Sequence, residues 1–285
     1  QLTFHRCDGS TWQKTTLAKG SSYSLPGVRD AEGYTFMGWS TKPMQSVSPQ
    51  YEAEEKITVN GNVDLYAVVF NRTTETDLTE DQLPQVDIYK YKQVIFVGDS
   101  RTEFMENVLT GMGESATKNV KFVCSAGKGL DWFTTTGWAQ LYSIVQHDSN
   151  SILSKKTAVI FNFGVNDLSK SADYAEYYNW IAPQLKSKGC ELYFMSVNPV
   201  NRLMLSNAGR ADRSEAAVRS FNQYMKANLS SAYTYIDMYS YLKSTGYSFA
   251  SDHYGTGTVD DGLHYTTRTY KRIFAKCMDS LRVPA

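Results

Sequence analysis

Val94-Ile-Phe-Val-Gly-Asp-Ser-Arg-Thr102 decides the fold of most of this chain. Four apolar residues in a row, β-branched types among them, closed by a Gly, make a run too short for a buried helix. It reads as a strand covered on both faces, the kind that occupies parallel sheets. Gly98-Asp99-Ser100 ends the run and a helical pattern follows, so the stretch is a strand, a tight turn and a helix start. The same texture recurs downstream. Val120–Cys124 (VKFVC), Ala158–Phe163 (AVIFNF) and Leu192–Val197 (LYFMSV) predict three more buried strands, with Thr234–Ile236 a weaker fifth. Ala172–Lys188, Ser214–Ser230 and Thr266–Leu281 have helical spacing. Alternating strands and helices predict an α/β domain with helices on both faces of a parallel sheet. Reactive groups in such sheets collect beyond the carboxyl ends of the strands.

Three candidate clusters fall at those positions. Ser100 stands at the first strand-to-helix turn, where a hydroxyl is held at the sheet edge and the following N–H groups favour negative charge; a helix N-cap is the plain alternative. Phe163-Gly-Val-Asn-Asp167 follows the third strand: Gly permits close backbone approach, and the Asn166 amide supplies a donor for a developing oxyanion, although a turn has the same composition. Before the last helix, Asp260-Asp-Gly-Leu-His264 offers His264 as general base, with Asp261 three residues earlier to orient its ring. Of the other histidines, His5 lies in a strand-like stretch, His147 has no partner signal, and His253 beside Asp252 is the only rival.

Taken together, Gly-Asp-Ser, Gly-x-Asn-Asp and Asp-x-x-His stand in the order and spacing of the SGNH (GDSL-type) hydrolase superfamily, which residues 92–282 resemble. The resemblance implies a three-layer, flavodoxin-like α/β/α fold with a five-stranded parallel sheet, and ester hydrolysis by a Ser-His-Asp triad without metal or organic cofactor. Carried over by position, Ser100 is the nucleophile, Asp261 and His264 complete the triad, and Ser100, Gly129 and Asn166 form the oxyanion hole. Gly127 is the alternative to Gly129. In Cys124-Ser-Ala-Gly-Lys-Gly129, Cys124 and Ala126 depart from the family's usual Asn and first Gly, which leaves a backbone donor intact. Arg101 and Trp132 are candidate substrate contacts; the bland alternatives are an exposed Arg101 paired with Glu103 or Glu106, and a core Trp132 beside Phe133. Asn198–Arg213 reads as a long polar loop shaping access.

The first 70 residues have another character. Leu2–Arg6, Trp12–Leu17, Tyr34–Trp39 and Val63–Phe70 alternate like short strands, separated by turn signals such as Asp8-Gly9, Pro26-Gly27 and Asn60-Gly61-Asn62. Gly33-Tyr-Thr-Phe-Met-Gly-Trp39 followed by Asp64-Leu-Tyr-Ala-Val68 resembles the internalin-type B repeat (Listeria–Bacteroides repeat). That implies a β-grasp-like spacer or adhesion module outside a bacterial cell; the plain reading of Trp39 and Tyr66 is the core of a small sheet. Asn71–Gln85 is polar, without apolar periodicity, and predicts a linker. The expected organisation is thus 1–70 β-rich module, 71–90 linker, 91–285 hydrolase domain.

Composition narrows the partners. Twenty-nine Lys and Arg balance 29 Asp and Glu, which removes a whole-molecule case for nucleic acid or an anionic membrane. No apolar run approaches the roughly 18 residues of a membrane span. Four cysteines lie far apart without metal-ligand spacing, so no zinc site is expected; they are expected free, although sequence leaves pairing open. Starting at Gln1 without Met or leader, the chain reads as a mature or trimmed form, secreted or cell-surface. The expected activity is a serine esterase on acyl, above all O-acetyl, esters of a small molecule, carbohydrate or peptidoglycan, with possible cell-envelope contact through the module. Two alternatives use the same sequence: an O-acyltransferase with the same residues, and a surface adhesin that binds glycan without turnover.

Overall fold

The computed structural model describes residues 1–146, 156–251 and 260–281. Near the N-terminus, β1 (Leu2–His5), β2 (Thr11–Thr15), β3 (Ser21–Ser24), β4 (Tyr34–Ser40), β5 (Lys56–Val59) and β6 (Val63–Asn71) build two small sheets. One has four strands in the order β2-β1-β6-β4, with β1 and β6 parallel; β3 and β5 form an antiparallel pair. Alternation along β1, β4 and β6 puts Leu2, Phe4, Phe36, Trp39 and Leu65 into one core with Leu25 and Val59. Trp39 stacks on Trp12 at 5.9 Å and donates its indole N–H to Pro26 O at 2.9 Å, so its one polar atom is satisfied. Tyr66 is not part of that core: it is half-buried and stacks on His5 at 4.5 Å. β3 (SSYS) and β5 (KITV) carry no strand signal in the sequence, because four residues are too few for alternation to register.

One compact unit of the chain comprises Asp77–Val197, Arg219–Met238 and Thr267–Ala285. Its centre is a wholly parallel five-stranded sheet, made of β7 (Tyr91–Gly98), β8 (Val120–Cys124), β9 (Lys156–Asn162), β10 (Cys190–Met195) and β11 (Tyr233–Ile236) in the order β11-β10-β9-β7-β8. α1 (Ser100–Thr110) follows β7; α2 (Leu130–Trp132) runs through a π-helical turn at Phe133–Gly137 into α3 (Trp138–Gln146); α4 (Ser171–Lys186) joins β9 to β10. Because successive side chains of a strand point to opposite faces, Phe96 packs on Phe122 and on Phe274 of the last helix, α8 (Thr267–Ser280), while Phe161 packs on Phe133 and on Tyr178 of α4. Each such buried ring contributes about 1.5–3 kcal/mol. β7 begins three residues before the predicted Val94. The register pairs Gly98 with Cys124 on one side and with Asn162 on the other, so three strand ends lie level and their following loops emerge together.

The other unit comprises Gln1–Thr76, Asn198–Val218 and Tyr239–Thr266: the N-terminal sheets together with two later segments. Those segments hold α5 (Arg202–Asn207), the start of α6 (Glu215–Asn228), most of α7 (Met238–Thr245), and an antiparallel hairpin of β12 (Phe249–Ser251) and β13 (Asp260–Tyr265). Asn198–Arg213, read as a loop, thus contains a short helix, with Asn201 accepting Met204 N–H as its cap. Buried polar groups tie the segments to the N-terminal sheets. The Lys243 ammonium meets Glu52 and Glu215, each at 2.7 Å, and donates to Met37 O. Burial alone lowers the Lys243 pKa, but the two carboxylates outweigh it and hold the ammonium above its ordinary value. Gly246 presses on the Phe70 ring so closely that a Cβ there would come within 2.2 Å of it.

Residues 71–90, expected as a linker, are pinned by side chains. The buried Glu75 accepts from Ser248 Oγ at 2.6 Å, and Asp77 pairs with Lys271 at 2.7 Å, which lowers the Asp77 pKa. Leu83 and Val86 are buried. Their anchors come from distant sequence, so local periodicity could not announce them. None of the four cysteines forms a disulfide.

Candidate active site

The turn after β7 is built on a close approach. A Cβ on Gly98 would fall 2.0 Å from Thr102 Oγ1 and 2.7 Å from Asn162 O, so only Gly lets β7 end there. Asp99, not Ser100, is the N-cap of α1: its carboxylate accepts the Arg101 N–H at 3.0 Å. Ser100 is therefore the first residue of the helix, 3% exposed. Arg101 is 2% exposed, which overturns the reading of it as an exposed helix-start residue.

The loops after β8 and β9 are joined by Asp167, whose role the sequence reading missed. Its carboxylate accepts Leu130 N–H at 2.9 Å and the Tyr174 hydroxyl at 2.7 Å. Gly129 lies against that carboxylate in extended backbone; a Cβ there would meet Asp167 Oδ2 at 2.4 Å. Gly127 serves differently. It takes φ +69° with open space around it, so it is the turn residue, whereas Gly129 is the close-approach residue. The Asn166 amide donates to Lys128 O at 2.8 Å, fastening the β9 loop to the same segment. Trp132 is half-buried, its ring 6.1 Å from Phe163, and Phe133 is core. Cys124 donates to Glu106 at 3.3 Å; burial first, and that carboxylate second, push its thiol pKa up, so it is a poor nucleophile.

Asp261 and His264 sit on β13. His264 is fully buried, and its Nδ1 lies 2.6 Å from Asp261 Oδ2. Asp261 Oδ1 accepts the backbone N–H groups of Leu263 and His264, each at 2.7 Å. Burial alone would raise the Asp261 pKa; the His264 side chain and these two N–H groups outweigh it and hold the carboxyl below its ordinary value. The turn between the two residues depends on Gly262, at φ +69°, where a Cβ would come within 2.5 Å of Asn201 O. Asn201 N–H in turn donates to Gly262 O at 2.9 Å, and its amide donates to Val28 O and Asp30 Oδ1 at 3.0 and 3.1 Å. Arg210 Nη2 reaches Asp261 Oδ2 at 3.3 Å. Neither Asn201 nor Arg210 carried a sequence signal beyond membership of a polar stretch. His147 and His253 lie outside the described residues.

Among the described residues, no group of His, Cys, Asp and Glu is placed to hold a metal ion, and no helix is long and apolar enough to cross a membrane.

The family model of the Listeria-Bacteroides repeat domain matches residues 1–68, and that of the GDSL-like lipase/acylhydrolases matches residues 94–277. No curated protein matches the chain. Among solved structures, a protein of Bacteroides fragilis described as an acylhydrolase is 16% identical over 71% of this chain and 92% of its own, with a TM-score of 0.45. An acetyl xylan esterase is 12% identical over 66% of this chain and 99% of its own, with a TM-score of 0.41. The C-terminal catalytic domain of Streptococcus pneumoniae peptidoglycan O-acetyltransferase A is 16% identical over 68% and 92%, with a TM-score of 0.38. Two thirds of the sequence thus fits one family model, over the parallel sheet and the loops described above: the chain belongs to the GDSL-like lipase/acylhydrolases, a family of ester hydrolases, and carries a Listeria-Bacteroides repeat on its N-terminal side.

Proposed function

We propose that the protein is a bacterial cell-surface or secreted serine esterase that removes acyl groups, O-acetyl above all, from carbohydrate or peptidoglycan. The observation that carries this reading is the buried His264–Asp261 contact of 2.6 Å. A carboxylate on Nδ1 fixes the tautomer that leaves Nε2 as a base, and stabilises the imidazolium that forms when the base takes a proton. In the proposed reaction His264 Nε2 removes the Ser100 Oγ proton as Oγ bonds to the ester carbonyl carbon. N–H groups of Ser100 and Gly129 and the Asn166 amide stabilise the tetrahedral oxyanion. Collapse expels the alcohol, which takes the proton from His264. Water then repeats the sequence on the acyl-enzyme and releases the acid. The Listeria-Bacteroides repeat supports the surface location and the polymeric substrate.

Two measurements test this together. Hydrolysis of p-nitrophenyl acetate, butyrate and octanoate is compared between the wild type and Ser100→Ala, and a fluorophosphonate probe is mapped on the wild type. The expected result is acetate cleaved fastest, no turnover by the variant, and the label on Ser100. A labelled residue other than Ser100, or a variant as active as the wild type, would overturn the assignment.

A further inference from the structure

The unit that holds Asp261 and His264 also holds a cavity of about 650 Å³, within the ~300–1,000 Å³ usual for small-ligand sites. One wall comes from the Listeria-Bacteroides repeat, through Gly27, Val28, Phe36 and Glu54; the other comes from α5 and the residues after it, through Arg202, Ser206, Arg210 and Asp212. Each charged group at its surface has an ionic or hydrogen-bonding partner within the same unit. Arg202 makes a two-pronged contact with Asp212 at 2.6 and 2.7 Å and reaches Glu54 at 3.7 Å. Glu54 also accepts Ala216 N–H at 3.1 Å, Glu215 takes Lys243 and the Tyr239 hydroxyl, each at 2.7 Å, and Arg210 holds Asp261.

That chemistry excludes most ligands. An acyl chain would strip water from two guanidiniums and three carboxylates without replacing it. An anion would face Glu54, Asp212 and Glu215 against two guanidiniums that already have carboxylate partners. A neutral chain of hydroxyls fits, because each hydroxyl can donate to a carboxylate lone pair and accept from a guanidinium N–H without disturbing the charge balance. Arg210, mostly buried and drawn to Asp261, has little side-chain freedom left to lose on binding. Arg210 lines this cavity and touches Asp261, so a bound chain lies one side chain away from the Asp261–His264 pair.

We infer that this cavity is a subsite for a neutral oligosaccharide, with the repeat supplying one of its walls; the link to turnover rests on the esterase reading above. The repeat then reads the substrate chain and is more than a spacer.

The test uses two variants that fill the cavity from opposite walls. Gly27→Trp suits the backbone, since no heavy atom lies within 4 Å of its Cβ position and its φ is not in the left-handed region. Ser206→Trp starts from an exposed position on α5. Isothermal titration of xylotetraose, chitotetraose and tetragalacturonate into the Ser100→Ala protein, with and without each Trp substitution, measures the subsite without chemistry. The expected result is saturable binding of a neutral tetrasaccharide, weakened at least tenfold by both substitutions in proteins whose circular dichroism and melting point match the parent. In catalytically intact protein, the ratio of kcat/KM on O-acetylated xylotetraose to that on p-nitrophenyl acetate should fall at least tenfold. No binding of either neutral chain, binding untouched by both substitutions, or preference for the anionic chain overturns the subsite. Turnover of p-nitrophenyl acetate without neutral-sugar binding removes the subsite and leaves the esterase; sugar binding without turnover does the reverse.

Discussion

At Asp261 four groups of three kinds converge on one carboxylate: an imidazole, two backbone N–H groups and a guanidinium. A carboxyl whose folded pKa is depressed stabilises the protein above its unfolded pKa of about 4 and loses that contribution as pH falls through the lower folded value. Asp261→Asn should therefore melt well below the wild type at neutral pH, and the gap should narrow below about pH 4. A gap of constant size from pH 7 to pH 3 would show that the carboxylate's charge adds nothing. Gly262 has a sharper prediction. Any side chain there costs about 1–2 kcal/mol for the left-handed backbone and also meets Asn201 O. Gly209 has a similar φ of +66° with open space around it, so Gly209→Ala reports the backbone cost alone. Gly262→Ala should lower the melting point clearly more than Gly209→Ala; equal losses would mean that the contact with Asn201 relaxes freely.

Among elements, the segment from Gly127 through α2 leans on side chains of the loop after β9, Asn166 on Lys128 O and Asp167 on Leu130 N–H. It has no strand ladder to hold it, and Asp167 supplies the acceptor for its first helical N–H. Asp167→Ala would leave the Leu130 N–H and the buried Tyr174 hydroxyl without that acceptor, at roughly 1–3 kcal/mol for each group left unsatisfied. Tyr174→Phe removes only one of the two. Urea unfolding should rank wild type above Tyr174→Phe above Asp167→Ala, and the esterase rate should fall most in Asp167→Ala because Gly129 loses its backing. Equal stability of the two variants would show that the Leu130 contact carries little. The strands of the parallel sheet were legible from sequence because burial on both faces forces near-continuous apolar runs. α5 and β12 were not: six and three residues are too few for periodicity to show, and both are held by contact with β13.

Across the molecule, the repeat's residues form one compact unit with Asn198–Val218 and Tyr239–Thr266. Lys243 lies at the centre of that arrangement, buried between Glu52 and Glu215. Lys243→Met should cost about 3–5 kcal/mol, since it leaves the buried Glu215 and the half-buried Glu52 without their counter-charge. A fragment comprising residues 91–285 would expose Lys243, Asn201 and Gly246 where Met37 O, Val28 O and Phe70 now cover them. It should lack a cooperative melting transition. A soluble, cooperatively unfolding and active fragment would sink this expectation and make the repeat a separable appendage.

Sequence by itself determined the parallel α/β sheet, the β-rich N-terminal region and the residues to inspect: Ser100, Asn166, Asp261 and His264 each stand in a short motif at a strand end or before the last helix. Such features are local, since strand alternation, helix spacing and a three-residue Asp-to-His interval are all read within one element. Tertiary structure alone decided that Asp99 takes the helix cap, that Arg101 is buried, that Asp167 fastens Leu130, and that Asn201 and Arg210 reach the Gly262 turn and Asp261. Apart from the Asp99 cap, whose Arg101 N–H lies two residues away, those contacts join residues far apart in the chain, and a polar side chain's partner depends on which backbone folding brings beside it. Periodicity records which face of an element is buried; it holds no information on what that face meets.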